Sequence, residues 1–309
     1  MSFEPHIKTL NKALELDVFT YTLAAETGRS SVYRLVTKRG SFALRFAEAD
    51  EQGRPRFEAD AAVREHLGAY TARPLMTSTT NPVPDTPPWS LDSWCEGRHA
   101  ERGELPPELS RTLGEVLLRL HALPCSGYGR LENKRSALRG EAETLRGGLE
   151  SRFQEPFIFD SDWSEHPVAK AAPKLLPQLS ATEPELRSLL AEAETAPAVV
   201  LHSDLHEGQF LLRDTTLNDK TLSALLDFGD ASVGPATLDL ASFAYFHGFQ
   251  ALTPLLTGYG ADTPELRRQI DLYTILIALH QISRAYTLER PSRRSFAVLR
   301  LRELFERLT

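Results

Sequence analysis

The stretches LHSDLHEGQFLL (Leu201–Leu212) and LLDFGDASVGPATLDLA (Leu225–Ala241) decide how this chain is read. Each sets an acidic residue just past a short apolar run, Asp204 in the first and Asp227 in the second. A site that moves a phosphoryl group needs such a set. One carboxylate orients the attacking hydroxyl and takes its proton, and another, with an amide oxygen, holds Mg2+ against nucleotide phosphates. Hard oxygen donors suit Mg2+, and the lack of an accompanying His/Cys cluster argues against zinc or iron. Taken alone, Asp-Phe-Gly-Asp at 227–230 is most often a turn after a strand. A loop carboxylate flanked by His202 and His206 has no evident packing purpose, and this favours a chemical role for Asp204.

Working outward, Val199–Leu201, Phe210–Leu212 and Leu222–Leu226 are short apolar runs bounded by polar turns, which predicts strands. From Asp239 onward the pattern is helical, with Leu272, Ile275, Leu276, Leu279 and Ile282 on one face. Residues 137–196 carry further helical patterns. Along Glu108–Leu120 the apolar Leu109, Leu113, Val116, Leu117 and Leu120 recur at three- and four-residue steps, an amphipathic helix. The first hundred residues differ. Ser31–Val36 and Ser41–Phe46 flank the polar turn Thr37-Lys38-Arg39-Gly40, a hairpin signal. A helix is expected over Phe57–Leu67, a loop over the Pro- and Thr-rich Thr77–Pro88, and one more strand over Leu91–Cys95, ended by Glu96-Gly97. The outline is α+β: a small β-rich N-terminal lobe over 1–95, a hinge at 91–97, and a larger, mostly helical lobe over 96–309.

With 309 residues, 41% hydrophobic and 25% charged, the chain can bury a real core. A formal charge of −7 argues against a nucleic-acid partner, which would need a basic surface to displace counterions. The two cysteines, Cys95 and Cys125, fit neither a disulfide framework nor a zinc pattern. Glu4 and Pro5 stand where a signal peptide needs an apolar run, and no apolar stretch is long enough to span a bilayer. A cytoplasmic protein without a membrane partner, monomeric or homodimeric, is the expectation.

His-x-Asp-x-x-x-x-Gln (His202–Gln209), followed by a strand and Asp-Phe-Gly-Asp, resembles the aminoglycoside phosphotransferase and choline kinase-like family of small-molecule kinases. That family's pattern is His-x-Asp-x-x-x-x-Asn and then Asp-x-x. The resemblance implies a two-lobed, protein-kinase-like fold with Asp204 as catalytic base, Gln209 and Asp227 as Mg2+ ligands, and His202 supporting the loop. Leu120-His121-Ala122-Leu123 is similar to the family's frequent Leu-His-x-Leu at the end of its first large-lobe helix. Leu91–Gly97 (LDSWCEG) looks like the hinge, whose backbone at Ser93 and Cys95 would bond the purine of ATP or GTP. Family position favours a buried structural bond for Asp239 over a helix cap. Asp230 as metal contact or turn cap, and His206 facing the loop interior or the substrate, stay open.

Three positions depart from the family pattern. The loop asparagine is Gln209, the N-lobe lysine is Arg45, and its helix partner, usually glutamate, is best matched by Asp60. Asp60 is preferred to Glu58 because Val63 and Leu67 then share its helix face. A longer arginine and a shorter aspartate can compensate in reach, and arginine can fork onto phosphate oxygens. The phosphate-covering loop falls on Glu26–Ser31, with Ser30 and Ser31 as candidate contacts and no Gly-rich motif.

The expected activity is transfer of the γ-phosphoryl of ATP or GTP, with Mg2+, to a hydroxyl of a small molecule, an antibiotic or a metabolite. From Ala261 on, nine arginines face six acids, which disfavours polycationic acceptors and leaves macrolides, nucleoside-like compounds, amino alcohols and sugars. The alternative is a nucleotide-binding pseudokinase without turnover. A protein kinase is disfavoured by the short spacing from Asp227 to Asp239, which leaves no room for an activation loop.

Overall fold

The computed structural model describes residues 3–26, 30–47, 56–154, 157–160, 162–214 and 220–308. It opens with α1 (Glu4–Ala13), a helix the sequence reading did not foresee although Pro5 sits in its first turn and Ile7 and Leu10 lie one turn apart. Then come β1 (Val18–Glu26), β2 (Ser30–Thr37) and β3 (Gly40–Ala47). The β2–β3 hairpin closes on Lys38-Arg39 with Thr37 opposite Gly40, and Gly40 adopts φ +118°, where only glycine is unstrained. Next are α2 (Phe57–Leu67), with Glu58 and Asp60 in its first turn and Arg64 and His66 in its last, β4 (Pro74–Thr77), β5 (Trp89–Ser93) and the short β6 (Arg98–His99). The charge order along α2 matches the helix dipole. Five strands form an antiparallel sheet in the order β1-β2-β3-β5-β4. Its buried face carries Tyr33, Leu35, Leu44, Phe46, Trp89 and Leu91 against Phe3, Ile7 and Leu10. Phe3 stacks on Phe46 at 5.1 Å. Each such side chain contributes about 1.5–3 kcal/mol on burial.

The chain continues through α3 (Pro107–His121), β7 (Tyr128–Leu131), β8 (Gly140–Ala142), α4 (Leu145–Phe153), α5 (Val168–Ala171), α6 (Leu176–Ala193) and β9 (Val199–Leu201). Then follow β10 (Phe210–Asp214), β11 (Lys220–Leu225), β12 (Ser232–Gly234), α7 (Thr237–His247), α8 (Leu252–Tyr259), α9 (Pro264–Thr287) and α10 (Pro291–Leu308). β11-β10-β6 and β8-β7-β12-β9 make two smaller sheets. α9 starts on Pro264, capped by the Thr263 hydroxyl accepting from the Leu266 N–H. It is buried nearly all round from Ile270 to Leu279, not on one face, because α7 and α10 both pack against it. Among the described residues no helix is long and apolar enough to cross a membrane.

The chain divides into two compact units. One holds the described residues up to His99 with Asn133–Ala137 and Phe210–Asp230, and the other holds Ala100–Glu132, Leu138–Gln209 and the described residues from Ala231 on. This differs from a single cut after residue 95. The β10–β11 hairpin is drawn to the N-terminal chain by the pairing Leu211↔His99 and by the Leu225 N–H donating to the Tyr70 carbonyl at 2.8 Å. The strand expected to reach Cys95 ends at Ser93.

Candidate active site

In the first unit, α2 and the neighbouring strands β3 and β5 build a closed set of charges. Arg45, on β3, donates from Nε to Ser90 Oγ at 2.9 Å and Asp92 Oδ2 at 3.0 Å, and from Nη2 to Asp60 Oδ2. Arg64, one helical turn beyond Asp60, donates from Nη2 to Asp60 Oδ2 at 2.7 Å and Asp92 Oδ1 at 2.8 Å, and from Nη1 to the Ala72 carbonyl at 2.7 Å. Asp60 is therefore the partner of Arg45. Glu58 instead accepts the Thr77 hydroxyl. Two guanidinium groups and two carboxylates balance in charge, and every carboxylate oxygen has a donor, as burial requires. Burial alone would raise the Asp60 pKa, but the charges and hydrogen bonds of Arg45 and Arg64 hold it well below the usual carboxylate range. Burial works against the Arg45 charge, and Asp60, Asp92 and Asp227 overcome it and push its pKa up. Arg45 keeps 21% of its side chain exposed and Arg64 only 3%, so Arg45 is the cation open to a ligand.

Asp60 also reaches the second motif. Its Oδ1 accepts the Phe228 backbone N–H at 3.0 Å, tying α2 to the turn that carries Asp227. Asp227 is exposed and sits at φ +61°, a left-handed conformation costing about 1–3 kcal/mol in a non-glycine residue, with Oδ1 accepting the Gly229 N–H at 3.4 Å. Asp230, exposed, ends this turn. Arg64 and Asp92 were missed by the sequence reading. An i,i+4 acid–base pair on a helix and a carboxylate inside a buried strand were the available signals.

The other first-unit candidates are less uniform. Thr27, Gly28 and Arg29 of the expected phosphate loop lie outside the described residues. Ser30 and Ser31 begin β2, and alternation along the strand turns the buried Ser31 toward the face of Tyr33 and Leu35. That placement runs against Ser31 as a phosphate contact and leaves Ser30, on the opposite face. At the hinge, the Ser93 N–H donates to the Arg73 carbonyl at 2.8 Å and Ser93 Oγ accepts the Arg73 N–H at 2.8 Å. The Ser93 amide is thus already engaged, which removes it as a donor to a purine. Cys95 is half-buried, and burial pushes its thiol pKa up. Trp94 packs under the Arg34 guanidinium, 4.9 Å from its ring centre.

In the second unit, the loop after β9 is held from several directions. Fully buried Asp239, on α7, accepts the His202 N–H at 2.7 Å and the Ser203 N–H at 2.8 Å. His121 Nε2, at 3.3 Å, completes its shell, and His121 Nδ1 meets the Tyr259 hydroxyl at 2.8 Å. Asp239 is therefore a buried structural anchor. Burial would raise its pKa, but the His121 hydrogen bond and the charges of His121, His202 and Arg152 bring it below the ordinary value. His202 Nδ1 accepts the Asp204 N–H at 3.3 Å. Ser203 takes φ +77°, and Arg152 of α4 donates to its carbonyl and to Ser232 Oγ, both at 3.3 Å. His247 Nε2 donates to the Leu205 carbonyl at 2.8 Å, and burial lowers its pKa to about 4. This scaffold presents the Asp204 carboxylate with 35% exposure, 3.5 Å from His206 Nε2. Gln209 is buried and its side-chain amide lies 3.2 Å from the same nitrogen. Arg152, Ser232, His247 and Tyr259 carry no local sequence signal for these roles.

The candidates thus gather in two bonded groups: Arg45, Asp60 and the Asp227–Phe228 turn in the first unit, and Asp204, His206 and Gln209 in the second. Among the described residues no three His, Cys, Asp or Glu side chains cluster as a protein-only metal cage. Mg2+ commonly takes one or two protein oxygens and completes its shell with phosphates and water, and the exposed Asp227 carboxylate is an oxygen donor of that kind.

Comparison with known proteins extends these observations. The model of the phosphotransferase enzyme family, APH, matches residues 22–273. Among solved structures, aminoglycoside phosphotransferase APH(4)-Ia has 15% identity and a TM-score of 0.71, covering 97% of this chain and 98% of its own. A thermostable mutant of that protein, in a ternary complex with ADP and hygromycin B, gives 15% identity and a TM-score of 0.72, with 97% of each chain covered. The GDP complex of an aminoglycoside 2'-phosphotransferase-IIIa mutant gives 16% identity and a TM-score of 0.67, covering 98% of this chain and 97% of its own. A search of curated proteins by sequence finds no match. With a β-sheet N-terminal region and a helical C-terminal region in the kinase-like arrangement, and a family match over most of its length, the chain belongs to the phosphotransferase enzyme family and is a small-molecule kinase.

Proposed function

We propose that this protein transfers the γ-phosphoryl of ATP or GTP, in the presence of Mg2+, to a hydroxyl of a neutral or zwitterionic small molecule. The observation that carries the reading is the Asp60 carboxylate, which bonds the exposed cation Arg45 on one side and the Phe228 amide beside Asp227 on the other. One side chain thereby sets both a phosphate-facing charge and a metal-facing turn. In this reading Asp204 orients the acceptor hydroxyl and accepts its proton, Arg45 contacts the α/β-phosphates, and Ser30 and the Cys95 backbone contribute to nucleotide binding. Gln209 and Asp227 would hold Mg2+, which when bound neutralises charge on the phosphate oxygens. Positioning and charge supply most of the rate in such sites.

The solved relatives include complexes with hygromycin B and kanamycin. The balance of nine arginines against six acids from Ala261 on favours a less cationic acceptor here. The test is ADP and GDP release with Mg2+ across aminoglycosides, macrolides, nucleosides, amino alcohols and sugars, with Asp204→Asn in parallel. Acceptor-dependent release that the variant loses is expected. Nucleotide binding without release for any acceptor would favour the pseudokinase reading.

A further inference from the structure

α2 lacks the cap that a helix usually takes from the residue before it. Arg56 precedes Phe57, and an arginine side chain has no acceptor to offer the N–H groups of the first turn. The Asp60 N–H finds the Arg56 carbonyl at 3.0 Å, but the Ala59 N–H lies in the turn that no carbonyl of the helix reaches. Its acceptor is Asn133 Oδ1, at 3.2 Å, from a residue 74 positions further along the chain.

Asn133 belongs to a short strap between β7 and β8. Leu131 pairs with Gly140, and the Glu132 N–H donates to the Arg139 carbonyl at 2.7 Å, closing a loop whose tip, Asn133–Ala137, falls in the first unit. Arg135 on this tip holds α2 a second time. Its Nε donates to both Glu65 carboxylate oxygens at 3.1 Å, and its Nη2 donates to Glu65 Oε1 at 2.5 Å.

The two holds fall on residues that adjoin the charged pair of α2. Ala59 precedes Asp60, which accepts from Arg45 and from the Phe228 N–H. Glu65 follows Arg64, which donates to Asp60 and Asp92. One bond at the first turn and a fork near the other end stop the helix from sliding and from turning, and these two motions set where Asp60 stands.

Resting on the kinase reading above, we propose that Asn133 and Arg135 are positioning residues for the nucleotide, clamping α2 so that Asp60 holds Arg45 ready for phosphate. Both act through Asp60. When the clamp is cut, α2 shifts, and Asp60 leaves Arg45 and the Phe228 N–H together.

The probe is ADP with Mg2+. Its affinity is measured by calorimetry, well below the unfolding transition, for the parent, Asn133→Ala, Asn133→Asp, Arg135→Gln and the double variant Asn133→Ala/Arg135→Gln. Loss of a helix cap changes an equilibrium by about 2–30-fold. Asn133→Ala and Arg135→Gln are each expected to weaken ADP several-fold, and the double variant about tenfold or more. Asn133→Asp keeps an acceptor for the Ala59 N–H and is expected to bind within twofold of the parent. Amide exchange in the free protein, resolved by NMR, gives a reading that needs no ligand. In Asn133→Ala the Ala59 and Phe228 amides should both exchange faster, the second because its acceptor is Asp60 on the shifted helix, and aspartate should restore both. A cap that only stabilises α2 would lower the urea midpoint and speed Ala59, while leaving Phe228 exchange and ADP affinity as in the parent. That result overturns the proposal, as does a loss that aspartate does not rescue. If the double variant binds ADP like the parent while Asp227→Ala loses the Mg2+ dependence, the clamp falls and the kinase reading stands. A parent that binds neither ADP nor GDP overturns both.

Discussion

Two residues, Asp204 and Asp60, carry contrasting duties. Asp204 is exposed enough to meet an acceptor, and its backbone, not its carboxylate, is what the loop secures. Asp204→Asn should lower kcat by about 10²–10⁴, the scale for a general base, with acceptor KM little changed. Steady-state turnover checks this, and near-parental kcat would remove Asp204 from the role. Asp60 is buried with all its acceptor capacity in use, so its loss strands Arg64 without its main counter-charge. Asp60→Ala is expected to cost about 3–5 kcal/mol in urea unfolding. Arg45→Lys keeps the charge but cannot serve Ser90, Asp92 and Asp60 at once. Loss of a charge-assisted bond of about 1.5–3 kcal/mol should raise nucleotide KM by roughly 10–100-fold, read from titrations of ATP and GTP. Acidic residues just past short apolar runs marked Asp204 and Asp227, and the resemblance to the family pattern marked Arg45 and Asp60. Asp92 was not found because its bonds run to side chains on β3 and α2, whereas Arg64 was overlooked although its i,i+4 spacing from Asp60 was visible in the sequence.

At the level of elements, α3 and α8 meet through glycines. A Cβ on Gly114 would lie 2.1 Å from the Leu255 carbonyl oxygen, and one on Gly258 would lie 1.9 Å from that of Arg111. Neither obstacle is a side chain that can rotate away. Gly114→Ala should therefore destabilise the protein by about 3 kcal/mol, at the upper end of overpacking costs, and shift the urea midpoint without changing the slope. α7 carries both Asp239 and His247 onto the loop of Asp204, and His247 adds a pH dependence. The folded state holds the ring neutral, with its pKa lowered from 6.5 to about 4 by burial. Between those values the unfolded chain binds the extra proton, so this contribution is complete above pH 6.5 and is lost as pH falls. Unfolding free energy should drop by as much as ~3 kcal/mol toward pH 4 from this group, and His247→Gln, which keeps the N–H to Leu205, should flatten that slope. Elements were legible where period and punctuation agree, as at the β2–β3 hairpin and α2. α1 was not, because two apolar residues one turn apart form a helix only when a sheet face is there to cover them.

For the molecule as a whole, nucleotide should act as a stabiliser by mass action. Mg2+ with ATP or GTP at about 100 times its dissociation constant adds roughly 2.7 kcal/mol, a rise of several degrees in Tm. That rise should vanish in Asp227→Ala, and an equal shift in the variant would place the metal elsewhere. The α+β outline was already determined by the sequence, because apolar runs of strand length and amphipathic helix periods are local in the chain, and the resemblance of His202–Gln209 and Asp227–Asp230 to the family's motifs implied the kinase-like fold. Tertiary structure decided what those patterns leave free. It drew the β10–β11 hairpin into the first unit, turned Ser31 toward the core, engaged the Ser93 amide with Arg73, and made Asp239 an anchor for the loop of Asp204. It also brought Asp92 of β5 into bonds with both Arg45 and Arg64, closing the charges around Asp60, the partner the sequence reading preferred to Glu58. The physical reason is common to all of these. A buried polar group must be bonded, and which donor reaches it depends on chain segments distant in sequence that only packing brings into range.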